Sequence, residues 1–196
     1  DKSNLSLEWN FRRVPLPNSY SLKANTGHLR VYASPNIIKE RGRYNFIGFR
    51  QKETDFTYEA KINFQPKQSE SQAGIALVQK DNNYITFTIR KTKLGSLLQI
   101  NLSEPNKESV IVKKALMQDI NSNVVLKIES KNQQYSFHYK QKGERFIDFH
   151  KMKSSFILSK GYTGAYLGIY ITSNGIPSND FMDVDFVKHK SYQRLN

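Results

Sequence analysis

Cysteine is absent from the 196 residues, and tryptophan occurs once. The first absence removes disulfides, thiolate metal sites and thiol nucleophiles together. It leaves the compartment open, because bacterial secreted domains often lack cysteine. No apolar run approaches the roughly 20 residues that a membrane-spanning helix needs. The chain opens on Asp1-Lys2-Ser3-Asn4 where a leader would be basic and then apolar, and the expectation is a mature fragment or a module of a longer protein. Also missing are a Gly-x-Ser-x-Gly elbow, a phosphate-cradling glycine loop and a dinucleotide fingerprint. The four histidines, His28, His138, His150 and His189, stand alone, with no His-Glu-x-x-His spacing for zinc. The common nucleophile, nucleotide and zinc classes therefore fall away.

What is present is aromatic and alternating. Eleven Tyr and 12 Phe favour sheet over helix. Phe56, Tyr58, Ala60, Ile62 and Phe64 alternate with Thr57, Glu59, Lys61 and Asn63, the period of a strand that buries one face. The same alternation runs through Leu5-Leu7-Trp9-Phe11, Ile85-Phe87-Ile89, Val124-Leu126-Ile128, Tyr135-Phe137-Tyr139 and Met182-Val184-Phe186. Residues 73–78 and 165–171 are apolar on both alternating faces, which predicts central strands covered on both sides or strands meeting another domain. Turn signals fall between the strands: Asn25-Thr26-Gly27, Asp81-Asn82-Asn83, Lys131-Asn132-Gln133, Lys142-Gly143 and Asn174-Gly175. Helical spacing is confined to 115–120 and 154–158, both too short for a stable isolated helix. About a dozen strands in one uninterrupted chain predict a single all-β domain over residues 1–196. The expected architecture is a two-sheet antiparallel β-sandwich of the size of a concanavalin A-like jelly roll.

Thirty Lys and Arg against 17 Asp and Glu give a formal charge of +13. A field of that sign attracts nucleic acid, anionic lipid or acidic polysaccharide. The basic residues are nonetheless spread along the chain, from Lys23 and Arg30 to Lys140 and Lys153, as on a solvated basic surface. Among the acids, Asp183 and Asp185 share a strand face, and with Glu8 they form a candidate structural Ca²⁺ site of hard oxygen ligands, if first and last strands are neighbours. Sugar binding needs exposed rings that stack on a pyranose, with polar groups to read its hydroxyls. Tyr44 and Phe46, after Arg41-Gly42-Arg43, and Tyr162, after Lys160-Gly161, are the loop-like aromatics that qualify.

The segment from Ile47-Gly48-Phe49-Arg50-Gln51 through Phe56-Thr57-Tyr58-Glu59-Ala60 to Phe64-Gln65-Pro66 resembles the C-terminal domain of glycoside hydrolase family 43 β-xylosidases and α-L-arabinofuranosidases. Four more pieces follow the family in order. They are Trp9-Asn10-Phe11, Gly27-His28-Leu29-Arg30-Val31, Gln72-Ala73-Gly74-Ile75-Ala76-Leu77-Val78, and Tyr162-Thr163-Gly164-Ala165-Tyr166-Leu167-Gly168 with Asn179-Asp180-Phe181. The last strand departs from the pattern, with Met182-Asp183-Val184-Asp185 in place of Asp-Phe-Asp.

The resemblance implies a concanavalin A-like sandwich packed on a catalytic β-propeller, with one loop reaching the sugar pocket. It places Tyr162 on that loop and matches Arg50 and Gln51 to the family's Arg-Gln pair, with strand bonding as an equal reading of those two. The propeller and its catalytic acids have no counterpart in this sequence, so the chain alone is expected to be an accessory module and to leave glycosides intact. Its expected partners are the propeller and an oligosaccharide or polysaccharide of xylan or arabinan type. An independent carbohydrate-binding module is the alternative, and a basic nucleic-acid- or protein-binding sandwich is the third reading.

Overall fold

The computed structural model describes residues 5–40, 42–117, 123–141, 143, 145–155, 157 and 164–192. Fourteen strands account for them: β1 Asn10–Phe11, β2 Tyr20–Ser21, β3 Leu29–Tyr32, β4 Asn45–Arg50, β5 Asp55–Phe64, β6 Gln72–Lys80, β7 Asn83–Thr92, β8 Gly95–Ser103, β9 Val110–Met117, β10 Asn123–Lys131, β11 Gln134–Gln141, β12 Ile147–Lys153, β13 Tyr166–Thr172 and β14 Phe181–Tyr192. They form two seven-stranded sheets, ordered β1-β4-β13-β6-β7-β8-β9 and β12-β11-β10-β5-β14-β3-β2. Every pairing is antiparallel. The sheets pack face to face as a sandwich around one core.

Strand β5 shows how the sequence dictates this. Each of Phe56, Tyr58, Ala60, Ile62 and Phe64 is buried, and each intervening residue is partly exposed. Side chains of β5, β10, β11 and β14 meet those of β6, β7, β8 and β13 in one core, where Phe87 and Phe137 cross edge to face at 5.6 Å. The hairpin between β10 and β11 turns on two residues, Asn132 and Gln133, with φ of 51° and 61°. Two successive left-handed residues match the right-handed twist of the strands they join.

One expectation of helical spacing needs correction, and the other lies partly outside the described residues. Residues 115–117 belong to strand β9, where cross-strand pairing to β8 overrides a local helical period; 118–120 lie outside the described residues. Residues 154 and 157 close a single turn through Ile157 N donating to Ser154 O, with 156 and 158 outside the description. The opening alternation also yields less strand than its length suggests. Only Asn10–Phe11 pairs, with Gly48 and Ile47, and Leu7 is fully exposed.

The doubly apolar stretches lie at the centre of the first sheet, in β6 and β13. Their second face is covered: Phe46, Ala76, Val78, Tyr84 and Tyr170 form a smaller cluster on the outer side, sealed by Ile38 and Tyr44 from the connection between β3 and β4.

The main core contains one polar misfit. The Tyr58 hydroxyl is fully buried and has no hydrogen-bond partner among the described residues, and burial pushes its pKa far above the usual phenol range. Removing an unpaired buried hydroxyl restores no bond and relieves a desolvation cost. Tyr58→Phe is therefore expected to stabilise the fold by about 1 kcal/mol, read as a higher urea midpoint with an unchanged slope.

Candidate interaction surface

Strands β4 and β13 pair so that Arg50 lies opposite Tyr166. The backbone N–H of Gln51 continues the ladder by donating to Ala165 O at 2.8 Å, and its side-chain Nε2 donates to Glu53 O at 2.8 Å. Gln51 is thus occupied in holding the strand end. Arg50 is exposed and lines a cleft of about 610 Å³ with Glu8, Trp9, Lys52 and His189. One wall is aromatic: Trp9 meets Phe49 edge to face at 5.4 Å, and Phe49 lies 4.7 Å from the His189 ring. Burial, then the nearby Lys52 charge, holds the His189 pKa below the usual imidazole value. A methyl group at Gly164 would stand 3.4 Å from Arg50 Nε, so the chain enters β13 alongside that guanidinium. Tyr162, two positions earlier, lies outside the described residues.

Beyond Tyr166 the surface becomes an ionic cluster. The Arg12 guanidinium sits 5.6 Å from the Tyr166 ring centre, Arg12 and Arg13 both pair with Asp81, and the Tyr44 hydroxyl donates to the same carboxylate at 3.5 Å. Burial raises the Tyr44 pKa, and Arg12 opposes that rise. Nothing in the local sequence predicts this grouping, because Arg12, Tyr44, Asp81 and Tyr166 come from four separate segments.

Tyr44 and Phe46 are not the exposed platform that their loop-like setting suggested. They are 5% and 1% exposed, since Phe46 enters β4 opposite Tyr170 and both rings join the outer-face cluster. Neither presents a ring face to a ligand in this arrangement.

The three carboxylates read as a calcium set take separate partners. Asp183 accepts from Arg30 through both oxygens, at 2.7 and 2.8 Å, and from Asn25 at 2.9 Å; Asp185 pairs with Lys61; Glu8 accepts from Ser6. Among the described residues no three His, Asp or Glu side chains gather as an ion's ligands would. Spacing put Asp183 and Asp185 on one face but could not reveal that the surplus cations lie beside them. No described helix is long and apolar enough to cross a membrane.

A two-sheet sandwich of this topology, with a cleft between β1, the end of β4 and the facing strand β14, defines a concanavalin A-like β-sandwich module. The chain belongs to the family of β-xylosidase C-terminal concanavalin A-like domains, whose model matches residues 1–190. It is 26% identical over 190 residues to the non-reducing end α-L-arabinofuranosidase BoGH43B of Bacteroides ovatus, covering 95% of this chain and 35% of that protein. It is 25% identical over 170 residues to a xylosidase/arabinosidase of Butyrivibrio fibrisolvens, covering 85% of this chain and 32% of that protein. Among solved structures, the Bacteroides ovatus xyloglucan PUL GH43B superposes with a TM-score of 0.88 at 24% identity, over 98% of this chain and 38% of that one. The GH43 BlXynB protein of Bacillus licheniformis gives 0.87 at 22% identity, with the same coverage of 98% and 38%. The chain spans about a third of the length of the curated relatives it matches.

Proposed function

We propose that this chain is the accessory sandwich of a larger family 43 glycoside hydrolase, packing against a catalytic β-propeller and helping to shape its pocket for a xylan- or arabinan-type sugar. The observation that carries this reading is coverage: nearly the whole chain aligns with only 38% of longer glycosidases. The surface supports it. Leu7 and Val14 are exposed on the N-terminal segment, Leu16 is partly so, and that segment runs through Trp9 and β1 along the β4 edge. Exposed apolar side chains along one segment are what such a docking contact would use. In this arrangement Arg50 and the cleft beside it face the pocket, and the family resemblance assigns the sugar contact to Tyr162.

The test pairs the 196-residue chain with a separately produced catalytic segment of the same polypeptide and measures association by interferometry. Leu7→Asp with Val14→Asp is expected to weaken association by about tenfold or more by placing charges in an apolar contact. Undiminished association of that double variant would rule out the N-terminal segment as the docking surface. Absence of any association with the unaltered chain would overturn the proposal.

A further inference from the structure

A separate cavity of about 450 Å³ opens on the outer face of the first sheet, and its floor is polar where a sheet face packed on another domain would be apolar. Gln72 of β6, Thr86 and Arg90 of β7, and Gln99 and Asn101 of β8 line it, with Tyr84 and Tyr170 beside them. Thr88 Oγ1 donates to Gln72 Oε1 at 3.1 Å and Gln99 Nε2 donates to the same oxygen at 3.0 Å. That arrangement leaves Gln99 Oε1 without a hydrogen-bond partner among the described residues, although Gln99 is only 2% exposed. A buried carbonyl oxygen with no donor is costly, so this polar floor is incompletely satisfied by the protein's own groups.

The chemistry of the floor selects the occupant. Amides and hydroxyls both donate and accept, the pairing that a sugar hydroxyl offers in return. The one cation on the floor, Arg90, pairs with Glu70, its Nη2 donating to Oε1 at 2.6 Å, and the rim carries one residue of each sign, Lys39 and Glu108. The charges lining the cavity, with Glu70 beside Arg90, balance in sign, so it carries no local excess for an anion despite the +13 of the whole chain. We propose that this outer-face cavity is a binding site for a short neutral oligosaccharide, used by the sandwich itself and independent of any propeller.

The test follows backbone amide shifts of the 196-residue chain during titration with xylotriose, arabinotriose and cellotriose, each up to about 10 mM, a range that detects millimolar affinity. The expected result is that at least one of them shifts residues of β6, β7 and β8, and that Gln99→Met and Asn101→Ala each weaken its binding by about tenfold or more, with the melting temperature unchanged in Asn101→Ala. If Gln99→Met does not fold, Asn101→Ala at the more accessible end of the floor decides alone. Absence of shifts with all three sugars, or binding that survives both substitutions, would overturn the proposal. Because no catalytic segment is in the tube, either result is separate from success or failure of domain docking.

Discussion

Asp183→Ala is expected to cost about 3 kcal/mol of folding stability, the scale for breaking a largely buried ion pair by deleting one partner. Asp183 of β14 lies directly across from Arg30 of β3, and the two meet through both carboxylate oxygens while Asn25 donates to one of them. The Arg30 guanidinium also lies 3.8 Å from the Phe181 ring centre, which holds it in place after the carboxylate is gone. Alanine would leave a charged fork and an amide without their acceptor, and that loss exceeds the value of an exposed salt bridge. The same residue sets a pH dependence. Burial alone would raise the Asp183 carboxyl, but the Arg30 and Asn25 bonds outweigh it and hold the pKa below the ordinary aspartate value. Asp180 behaves likewise: burial raises it, and the Ser71 hydroxyl with the Lys67 and Gln68 amides brings it lower. An unfolded chain then binds more protons than the folded one as pH falls through about 3.9, so the stability from both groups is complete above that pH and is lost below it. Chemical denaturation across pH 3 to about 7 should show a steep acid limb, shallower in Asp183→Ala. A penalty under about 1 kcal/mol would mean that solvent screens the pair as it does a surface bridge.

Gly168→Ala is expected to destabilise by about 3 kcal/mol, against the small gain that alanine gives at an ordinary strand glycine. Gly168 of β13 pairs with Gly48 on one side and Ala76 on the other. A Cβ at position 168 would lie 2.5 Å from Ile47 O, 2.5 Å from Phe46 Cζ and 2.8 Å from Gly48 Cα. Two of those three neighbours are backbone atoms of the next strand, so β4 itself has to move, and the Phe46 ring loses the gap it fills. Because β4 carries Arg50 at its far end, the same change should disturb the β4–β13 edge. Urea denaturation gives the sign directly, and an unchanged or raised midpoint would show that the row of small residues is not a packing device.

Much of this architecture is legible in the sequence because alternation reports which face a strand buries. Strand β5 reads residue for residue, and the turns at Asn132-Gln133 and Asn174-Gly175 have the left-handed backbone that their residue types allow. The unread part is what covers the second face. Tyr44 and Phe46 follow a basic, glycine-containing stretch and look exposed, yet Phe46 lies over Gly168, more than a hundred positions away in the chain. The same distance hides the partners of the carboxylates, since Asp183 finds Arg30, and Asp185 finds Lys61, only through sheet pairing. Arg50 and Gln51 separate in the same way: one lines the cleft and the other is bound to Glu53 and Ala165. Local pattern carries no information on those contacts.

The measurement that bears most directly on the accessory-domain reading is kcat/KM for p-nitrophenyl β-D-xylopyranoside and p-nitrophenyl α-L-arabinofuranoside. It compares the catalytic segment alone, the 196-residue chain alone, and the two together. The proposal predicts no hydrolysis by this chain, and a loss of about tenfold or more by the catalytic segment without it, restored when the two are combined, as expected for a pocket that needs a second body to hold its substrate in place. Full activity of the catalytic segment on its own, or hydrolysis by this chain alone, would contradict it.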